Sequence, residues 1–340
     1  MINWDDWASA REMTGSEGVL WAAEHADLEM LQDLLDTAED EDQPLPSLPE
    51  ALEAARGWLT VDEEAEARRR GAAGAPERVP HGDGSYQVVR VGVYGLAHRA
   101  VVTELERRLG VEPAAVELLE RALHYGDPAS VDWLASVVAL GTREPAIDQF
   151  RWAAARIGDP RVLVRRFAAD LVELLSYERP PFQGEAAEAV RPRLAAESDA
   201  GVLLSLVKAY AEYRQPQGLS VLIPLARHAD PAVRVEVAWR LDDLATLFEL
   251  ADDPVARVRA NALANILRTD RGSSGALAAY ARHRDDRDEE VRVEALAGLA
   301  RHGDDVALEE LRAIAERQPG WVARSRYDGV VAERSLHFGQ

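Results

Sequence analysis

Three short clusters of histidine and aspartate are the residues in this sequence that most suggest chemistry. Each copy reads Ala-Arg-His-x-Asp, and the copies span Ala226–Asp230, Ala281–Asp285 and Ala300–Asp304. Imidazole nitrogens and carboxylate oxygens are common metal ligands, and a histidine beside an aspartate can also transfer protons. The clusters therefore present two alternatives: a metal or acid–base site, or a recurring boundary between helices.

The position of each cluster favours the helix boundary. Arginine and histidine fall in the last turn of an expected helix, where cations complement the negative end of the helix dipole. The aspartate that follows caps or precedes the next helix. Stacked helices lie about 10 Å apart, so the three imidazoles are too far apart to share one metal ion at bond lengths of about 2 Å. We predict no metal site and no cofactor.

Tryptophans beside charged residues form a second set of candidates. The predicted binding residues are Trp133, Trp152, Trp239, Arg240, Asp242 and Asp243. If they shared a groove, Asp242 and Asp243 would be its candidate catalytic acid and base. The alternative, which we favour for each tryptophan, is a core position on an amphipathic helix.

Other catalytic motifs are absent from the sequence. It contains no Gly-rich phosphate loop, no Gly-x-Ser-x-Gly elbow and no His-Glu-x-x-His string. It also contains no cysteine, which excludes disulfides, thiolate metal sites and cysteine nucleophiles. The string HGDG at His81–Gly84 lies in a Gly/Pro-rich stretch, where turn formation accounts for it.

The helices that would position these residues are separated by breaks of one type. Gly126–Pro128 and Gly158–Pro160 read Gly-Asp-Pro, Ala229–Pro231 reads Ala-Asp-Pro, and Asp252–Pro254 reads Asp-Asp-Pro. Aspartate accepts hydrogen bonds from free N–H groups at a helix start, and proline at the first helical position loses none. Aromatic residues make up only 6% of the chain, and alternating β-branched runs are scarce. The pattern predicts an all-helical protein.

Several of these breaks precede a helix that begins with Val-Arg. Such helices start near Val164, Val233, Val258 and Val291. A period of roughly 25–40 residues with two helices in each period is typical of an α-solenoid.

Over residues 144–317 the sequence resembles the HEAT-repeat family. Repeats of that family carry an aspartate six residues before an arginine, and three pairs here have this spacing; at Arg234 the equivalent place is His228. The resemblance implies a right-handed α-solenoid in which these groups form a ladder between adjacent repeats. The ladder residues are then Asp159, Arg165, Arg234, Asp253, Arg259, Asp286 and Arg292.

Two enzyme families with HEAT-like repeats provide a further comparison. Deoxyhypusine hydroxylase builds a di-iron site from His-Glu pairs, and this sequence contains no His-Glu dipeptide. The alkylpurine DNA glycosylases use tryptophan and aspartate in a basic groove, whereas this chain has a net charge of −21. A strongly acidic chain is a poor binder of phosphate backbones, so we do not expect nucleic acid as a partner.

The N-terminal half is less regular. The string GVLWAAEHADLEMLQDLL, from Gly18, resembles an ankyrin repeat, with Trp21 where histidine is common and Ala26 in place of the turn glycine. We divide the chain into five segments. Residues 1–38 form a helical ankyrin-like segment, and residues 39–85 form an acidic Pro/Gly-rich connector that contains one short helix and is partly flexible. Degenerate helical repeats follow over residues 86–143, beginning with a helix near 86–109, and then HEAT-like repeats over 144–317 and a C-terminal tail over 318–340.

The charge is unevenly distributed. Residues 1–70 contain 19 acidic residues against five arginines, which accounts for −14 of the total of −21. The sequence shows no secretory signal and no apolar run long enough to cross a membrane. We therefore expect a cytoplasmic protein with no membrane partner.

These observations favour a non-catalytic interaction, scaffold or inhibitor protein that uses the concave face of an acidic α-solenoid to bind a basic protein or peptide. The alternative is an enzyme with an acidic and aromatic site in the solenoid groove, for example a protein of the glycosylase type.

Overall fold

The computed structural model describes residues 13–177, 181–213, 218–270, 272–317 and 321–338. The described residues are mostly helical, which confirms the predicted helical class. The chain divides into two compact units, Met1–Pro180 (unit 1) and Pro181–Gln340 (unit 2). Among the described helices, none combines the length and apolar character that crossing a membrane requires.

Unit 1 combines helices with a small sheet. Its helices are α1 (Gly15–His25), α2 (Leu28–Asp40), α3 (Leu48–Trp58), α4 (Glu63–Arg69), α5 (His98–Arg108), α6 (Ala115–Leu123), α7 (Val131–Gly141), α8 (Ala146–Ala154) and α9 (Val162–Ser176). Its strands are β1 (Glu77–His81), β2 (Tyr86–Val91) and β3 (Tyr94–Gly95). Between α1 and α2, Ala26 adopts a left-handed φ of 48°, and Asp27 caps α2 by accepting the N–H of Met30.

The core of unit 1 forms where α1, α3, α5, α7 and α9 pack against one another in that order. Helix α2 packs on α1, α6 on α7, and α8 on α9. Ala22, Ala55 and Ala100 are fully buried in this core. Their small side chains let the helix axes approach closely, so leucines such as Leu31 and Leu105 fill the remaining space.

The helix predicted near 86–109 is wrong in its first half. The first of these residues form the strands β2 and β3, and helix α5 starts only at His98. Together with β1, the two strands form an antiparallel sheet of order β1-β2-β3. The cause is local. Val88 and Val91 are buried β-branched residues that favour a strand, and Gly92 makes the turn with a φ of 62°.

The segment 39–85 also contains more structure than the predicted connector with one helix. It includes α3, α4 and β1. Helix α4 is stabilised by its own charges, because Asp62 accepts the N–H of Ala65 and Glu66 pairs with both Arg69 and Arg70. The acidic and basic residues of this part of the predicted connector therefore form ion pairs at i,i+3 and i,i+4 spacing.

The regular elements in the described part of unit 2 are helices. They are α10 (Gln183–Ala196), α11 (Ala200–Glu212), a 3-10 helix (Ser220–Arg227), α12 (Pro231–Arg240), α13 (Leu244–Leu250), α14 (Ala256–Thr269), α15 (Ser274–His283), α16 (Glu289–Arg301), α17 (Asp305–Arg317) and α18 (Trp321–Phe338).

The helices of unit 2 form successive pairs in two layers. One layer contains α11, α12, α14, α16 and α18, each packed on the next. The first helix of each pair belongs to the other layer, which contains α10, the 3-10 helix, α13, α15 and α17. Each pair thus buries one face against its partner and another against its neighbours, as expected of repeated helical units.

The aspartates of the predicted breaks accept main-chain hydrogen bonds. Asp230 caps α12 through the N–H of Ala232, and Pro231 occupies the first helical position. In the Gly-Asp-Pro break at Asp159 and the Asp-Asp-Pro break at Asp253, the aspartate accepts the N–H two residues later, and the helix starts further along. One motif therefore makes a helix cap in one place and a tight turn in others.

The residues predicted to form a C-terminal tail include a helix. Helix α18 packs against both α16 and α17. Ala323 and Val330 are buried, and Arg326 pairs with Glu294 of α16. Apolar residues at this spacing give the helix a buried face, which explains why it docks.

Candidate functional site

Arg234 and Arg259 join successive helical pairs of unit 2. The guanidinium of Arg234 donates to both carboxylate oxygens of Asp253, at 2.7 and 3.0 Å, and to the carbonyl of His228. Arg259 donates in the same way to Asp286, at 3.0 and 2.8 Å, and to the carbonyl of Asp253. Each arginine thus binds the turn before its own helix and the aspartate of the next pair, in a bidentate geometry that only arginine provides.

The other two arginines of the predicted ladder make the same main-chain contact. Arg165 donates to the carbonyl of Asp159 at 2.9 Å, and Arg292 donates to the carbonyl of Asp286 at 2.7 Å. The carboxylate of Asp159 accepts hydrogen bonds from Arg161. These contacts hold the turn against its helix.

The histidines of the three Ala-Arg-His-x-Asp clusters serve separate helix ends. The Nδ1 atom of His228 accepts the N–H of Asp230 at 3.1 Å. The ring of His283 lies between two carboxylates, and Nδ1 of His302 is 2.7 Å from a carbonyl of its own helix. In the part of the chain that the structure describes, no group of three or more His, Asp or Glu side chains is arranged so that it could hold a metal ion.

Trp133 is a core residue, which is the alternative favoured for the tryptophans, and its assignment as a binding residue is wrong. Its side chain is buried, its indole N–H donates to Asp170 at 2.9 Å, and its ring packs edge-on against Phe167. Trp152 is partly buried and also packs against Phe167. The guanidinium of Arg156 lies 3.9 Å from the centre of its ring, which covers one face.

The remaining predicted binding residues belong to unit 2, and Asp243 is not a free acid–base group. It caps α13 by accepting the N–H and the hydroxyl of Thr246, at 2.8 and 2.6 Å. These hydrogen bonds lower the pKa of Asp243, so it is an ionised capping residue. Arg240 pairs with Glu212 of α11. Asp242 is exposed in the turn before the cap.

Trp239 is 47% exposed. It lines a pocket of 340 Å³, here called the Trp239 pocket, between α12, α14, α16 and α18. The polar and aromatic residues that line it include Trp239, Asn265, Arg268, Arg301, Arg326 and Glu333. Three arginines against one glutamate give the lining a positive charge, although the whole chain is acidic.

The side chains of Asn265 and Arg268 are held in place at this pocket. The amide nitrogen of Asn265 donates to the carbonyls of Ala238 and Leu241. Its oxygen therefore faces Arg268 and accepts from Nη2 of that residue at 2.7 Å. The same Nη2 atom donates to the main-chain carbonyl of Trp239 at 3.2 Å, and the two residues line the same pocket.

The other two arginines of the pocket are already paired. Arg301 lies 2.6 Å from the carboxylate of Glu333 and donates to the carbonyl of Leu267. Arg326 lies 2.9 Å from the carboxylate of Glu294. Burial raises the pKa of Glu294, and Arg326 opposes this effect.

A buried polar cluster in unit 1 was not predicted. Glu63 accepts from Arg99 at 2.5 Å and from the hydroxyl of Tyr125 at 3.1 Å, and the ring of His98 lies 3.8 Å away. Trp58 stacks on that ring at 4.2 Å. Burial raises the pKa of Glu63, but its neighbours His98, Arg99 and Tyr125 outweigh burial and hold it below its ordinary value.

Asp132, in the first turn of α7, adjoins this cluster. It is buried, and Oδ1 accepts the N–H of Ala100 at 2.8 Å. Burial, together with the charge on Glu63, raises the pKa of Asp132 to about 7. With Tyr125 and Arg78, Asp132 lines a cavity of 170 Å³. A carboxyl group of this kind can both donate and accept a proton near neutral pH.

A weak signal for this cluster is present in the sequence. Asp132 stands between Val131 and Trp133, and a charged residue between two residues of apolar type is a hint that it is buried. Its partners Glu63 and Arg99 lie far away in the sequence, so no local spacing pointed to them.

An acidic surface lies at the C-terminal end of α2. This α2 acidic surface consists of the exposed residues Asp33, Asp36, Glu39, Asp40, Glu41 and Asp42. Arg108 pairs with Asp36 and Glu39. Because carboxylates at a helix C-terminus oppose the helix dipole, those in the last turn lower the stability of α2.

Comparison with known proteins gives a likeness of fold. No protein-family model and no curated protein matches the sequence. Among solved structures, the chain is similar to the X-ray structure of YibA from Escherichia coli, with a TM-score of 0.50 and 19% sequence identity. The match covers 59% of this chain and 75% of YibA.

Proposed function

We propose that the chain is a non-catalytic, protein-binding α-solenoid of the HEAT-like type, which is right-handed and preceded by an ankyrin-like segment. It serves in the cytoplasm as a scaffold or as an inhibitor of a basic protein. The layered helical pairs of unit 2 and the arginine–aspartate bridges between them support the solenoid. Proteins of this architecture present long helical surfaces, which suit the recognition of other proteins.

The α2 acidic surface is the observation that carries the proposal. Its carboxylates are exposed, and those in the last turn of α2 oppose the helix dipole. Arg108 pairs with only two of them. Charges that reduce stability at their own position are expected where they serve binding, and complementary charge increases the rate of association with a basic partner.

This assignment differs in one respect from the sequence-based expectation of a basic partner on the concave solenoid face. The Trp239 pocket of unit 2 carries three arginines, two of them paired with glutamates, so a basic partner would meet the remaining positive charge of Arg268 there. We therefore place the contact with the basic partner at the α2 acidic surface.

The experiment is affinity capture from the lysate of the native host at low salt with matched charge-reversal variants. We expect a basic protein that the wild type retains and that Asp40→Lys/Glu41→Lys loses. Glu309→Lys/Glu316→Lys changes exposed carboxylates of α17 by the same charge and should retain it. Retention of no basic protein, or equal loss with both variants, would contradict the proposal.

A second candidate function rests on Asp132. A buried carboxyl with a pKa of about 7 at a cavity of 170 Å³ has the chemistry of an acid–base catalyst, in unit 1 and not at Asp242 and Asp243. A screen of small polar molecules by thermal shift would test it. A compound that stabilises the wild type, but neither Asp132→Asn nor Tyr125→Phe, would favour an enzyme; a screen without such a compound would favour the binding protein.

A further inference from the structure

We propose that the Trp239 pocket binds an acidic peptide segment of a protein partner, with a carboxylate of the peptide on Arg268 and an adjacent aromatic or aliphatic side chain on the indole of Trp239. This site is separate from the α2 acidic surface and selects the opposite charge.

The indole of Trp239 provides the apolar part of the site. About half of its surface is exposed, whereas Trp58 and Trp133 are buried. Beside it, Leu267 and Val330 contribute apolar surface to the pocket. A large exposed aromatic ring next to such surface is a favourable anchor, because covering it removes apolar area from water at low entropic cost.

Arg268 provides the charged part. It is the one arginine lining the described pocket that has no carboxylate within ion-pair distance, since Arg301 and Arg326 pair with Glu333 and Glu294. Its Nε and Nη2 atoms are held by Asn265 and by a carbonyl, so the side chain is ordered before binding. Nη1 makes no hydrogen bond to any described residue and can donate to a carboxylate.

The net charge of unit 2 is low enough for the unit to bind an acidic peptide segment. Residues 181–340 contain 26 acidic and 21 basic residues, a net of −5, whereas residues 1–180 carry −16. At the pocket itself, Arg301 and Arg326 are paired with Glu333 and Glu294, so the unbalanced positive charge is that of Arg268. The local charge therefore attracts an acidic ligand over the distance of about 8–10 Å that salt leaves unscreened.

The exposure of Trp239 favours a peptide as the occupant. Because the indole is open to solvent on one side, a ligand that covers it must lie across the surface, as a side chain presented by a peptide backbone does. A single small anion would contact Arg268 and leave the indole uncovered.

The test uses two fluorescein-labelled peptide libraries of equal length, one with aspartate and glutamate around a single phenylalanine and one with lysine in place of each acid. Fluorescence anisotropy should show binding of the acidic library, weakened by added salt. Trp239→Ala and Arg268→Glu should each reduce the affinity about tenfold or more. Arg324→Glu changes an exposed arginine of α18 outside the pocket and should leave the affinity unchanged.

Arg268→Gln, with circular dichroism and thermal melting of every variant, separates loss of binding from loss of folding. Preference for the lysine library, equal effects of Arg324→Glu and Arg268→Glu, or no binding by folded wild type would overturn the inference. So would displacement of the peptides by inorganic phosphate at equal concentration, which would indicate a simple anion site. Asp40→Lys/Glu41→Lys should not weaken acidic peptides, so this test can fail independently of the proposed function.

Discussion

At the scale of single residues, the arginines that bridge helical pairs have the clearest energetic role. Arg259 is buried and binds both carboxylate oxygens of Asp286, so removing its side chain leaves a partly buried carboxylate without its main partner. We expect Arg259→Ala to lower the free energy of unfolding by about 3 kcal/mol.

Urea unfolding of Arg259→Ala, Asp286→Ala and the double variant measures this interaction. Arg257→Ala is the matched control, because Arg257 is exposed and pairs with Glu290 at the surface, where such pairs contribute about 0.5 kcal/mol. Equal losses for Arg257→Ala and Arg259→Ala would show that the bridge has no special role. Arg259→Lys should recover little stability, because lysine lacks the fork of donors.

The same carboxylate gives a prediction at acid pH. Burial raises the pKa of Asp286, but the hydrogen bonds from Arg259 and from the N–H of Asp288 outweigh burial and lower it to about 2. Because the folded state binds the proton less tightly than the unfolded chain, Asp286 contributes stability above about pH 4. This contribution should disappear as the pH falls toward 2. Unfolding measurements of wild type and Asp286→Asn across this range should converge at the acid end.

Asp132 should have the opposite effect. Burial raises its pKa to about 7, so the folded state binds the proton more tightly than the unfolded chain. Stability should therefore decrease as the pH rises from about 4 through 7. Asp132→Asn keeps an oxygen for the N–H of Ala100 and removes the charge, so its stability should vary less with pH over this range. An Asp132→Asn profile parallel to that of the wild type would contradict the assignment.

At the scale of the elements, close helix contacts depend on particular glycines. A Cβ atom at Gly298 of α16 would lie 2.6 Å from the ring of Tyr280 on α15. Gly298→Ala should therefore destabilise unit 2 by about 1–3 kcal/mol through overpacking. Gly184→Ala in α10 is the control, because nothing lies within 4 Å of its Cβ, and it should stabilise by about 0.5–1 kcal/mol. Thermal unfolding that shows the same sign for both variants would disprove this contact.

The helices and strands also show which structural features can be predicted from neighbouring residues in the sequence. The aspartate of the break at Asp230 was predictable as a helix cap, because its hydrogen bond joins residues two positions apart. The strands over residues 77–95 were missed, since a short valine-rich stretch suits a strand or a helix and the pairing of β1 with β2 decides between them.

At the scale of the whole molecule, the end of the helical stack should control solubility. Helix α18 covers α16 and brings Arg326 to the buried carboxylate of Glu294. Removing residues 318–340 should therefore expose an apolar helix face and leave Glu294 without its arginine. We expect a lower melting temperature and aggregation in size-exclusion chromatography. A truncated chain as stable and as monodisperse as the full chain would show that α18 does not cap the stack.

The sequence by itself determined the features that depend on neighbouring residues. These are the helical class, the aspartate caps and turns, and the spacing that places Arg234 and Arg259 against the carbonyls of their own turns. Hydrogen bonds and side-chain packing within one or two helical turns join residues that are close together in the sequence. They can therefore be predicted from the types and spacing of those residues.

Only the tertiary structure decided where the charges and aromatic rings lie. In the folded chain Trp133 is buried and Trp239 is exposed, although each tryptophan lies in a segment whose sequence predicts an amphipathic helix. The tertiary structure also brought Glu63 to Asp132, and arginines from three helices to one pocket in an acidic chain. Burial and pKa depend on groups that are distant in sequence and close in space, and those distances are set when the helices pack.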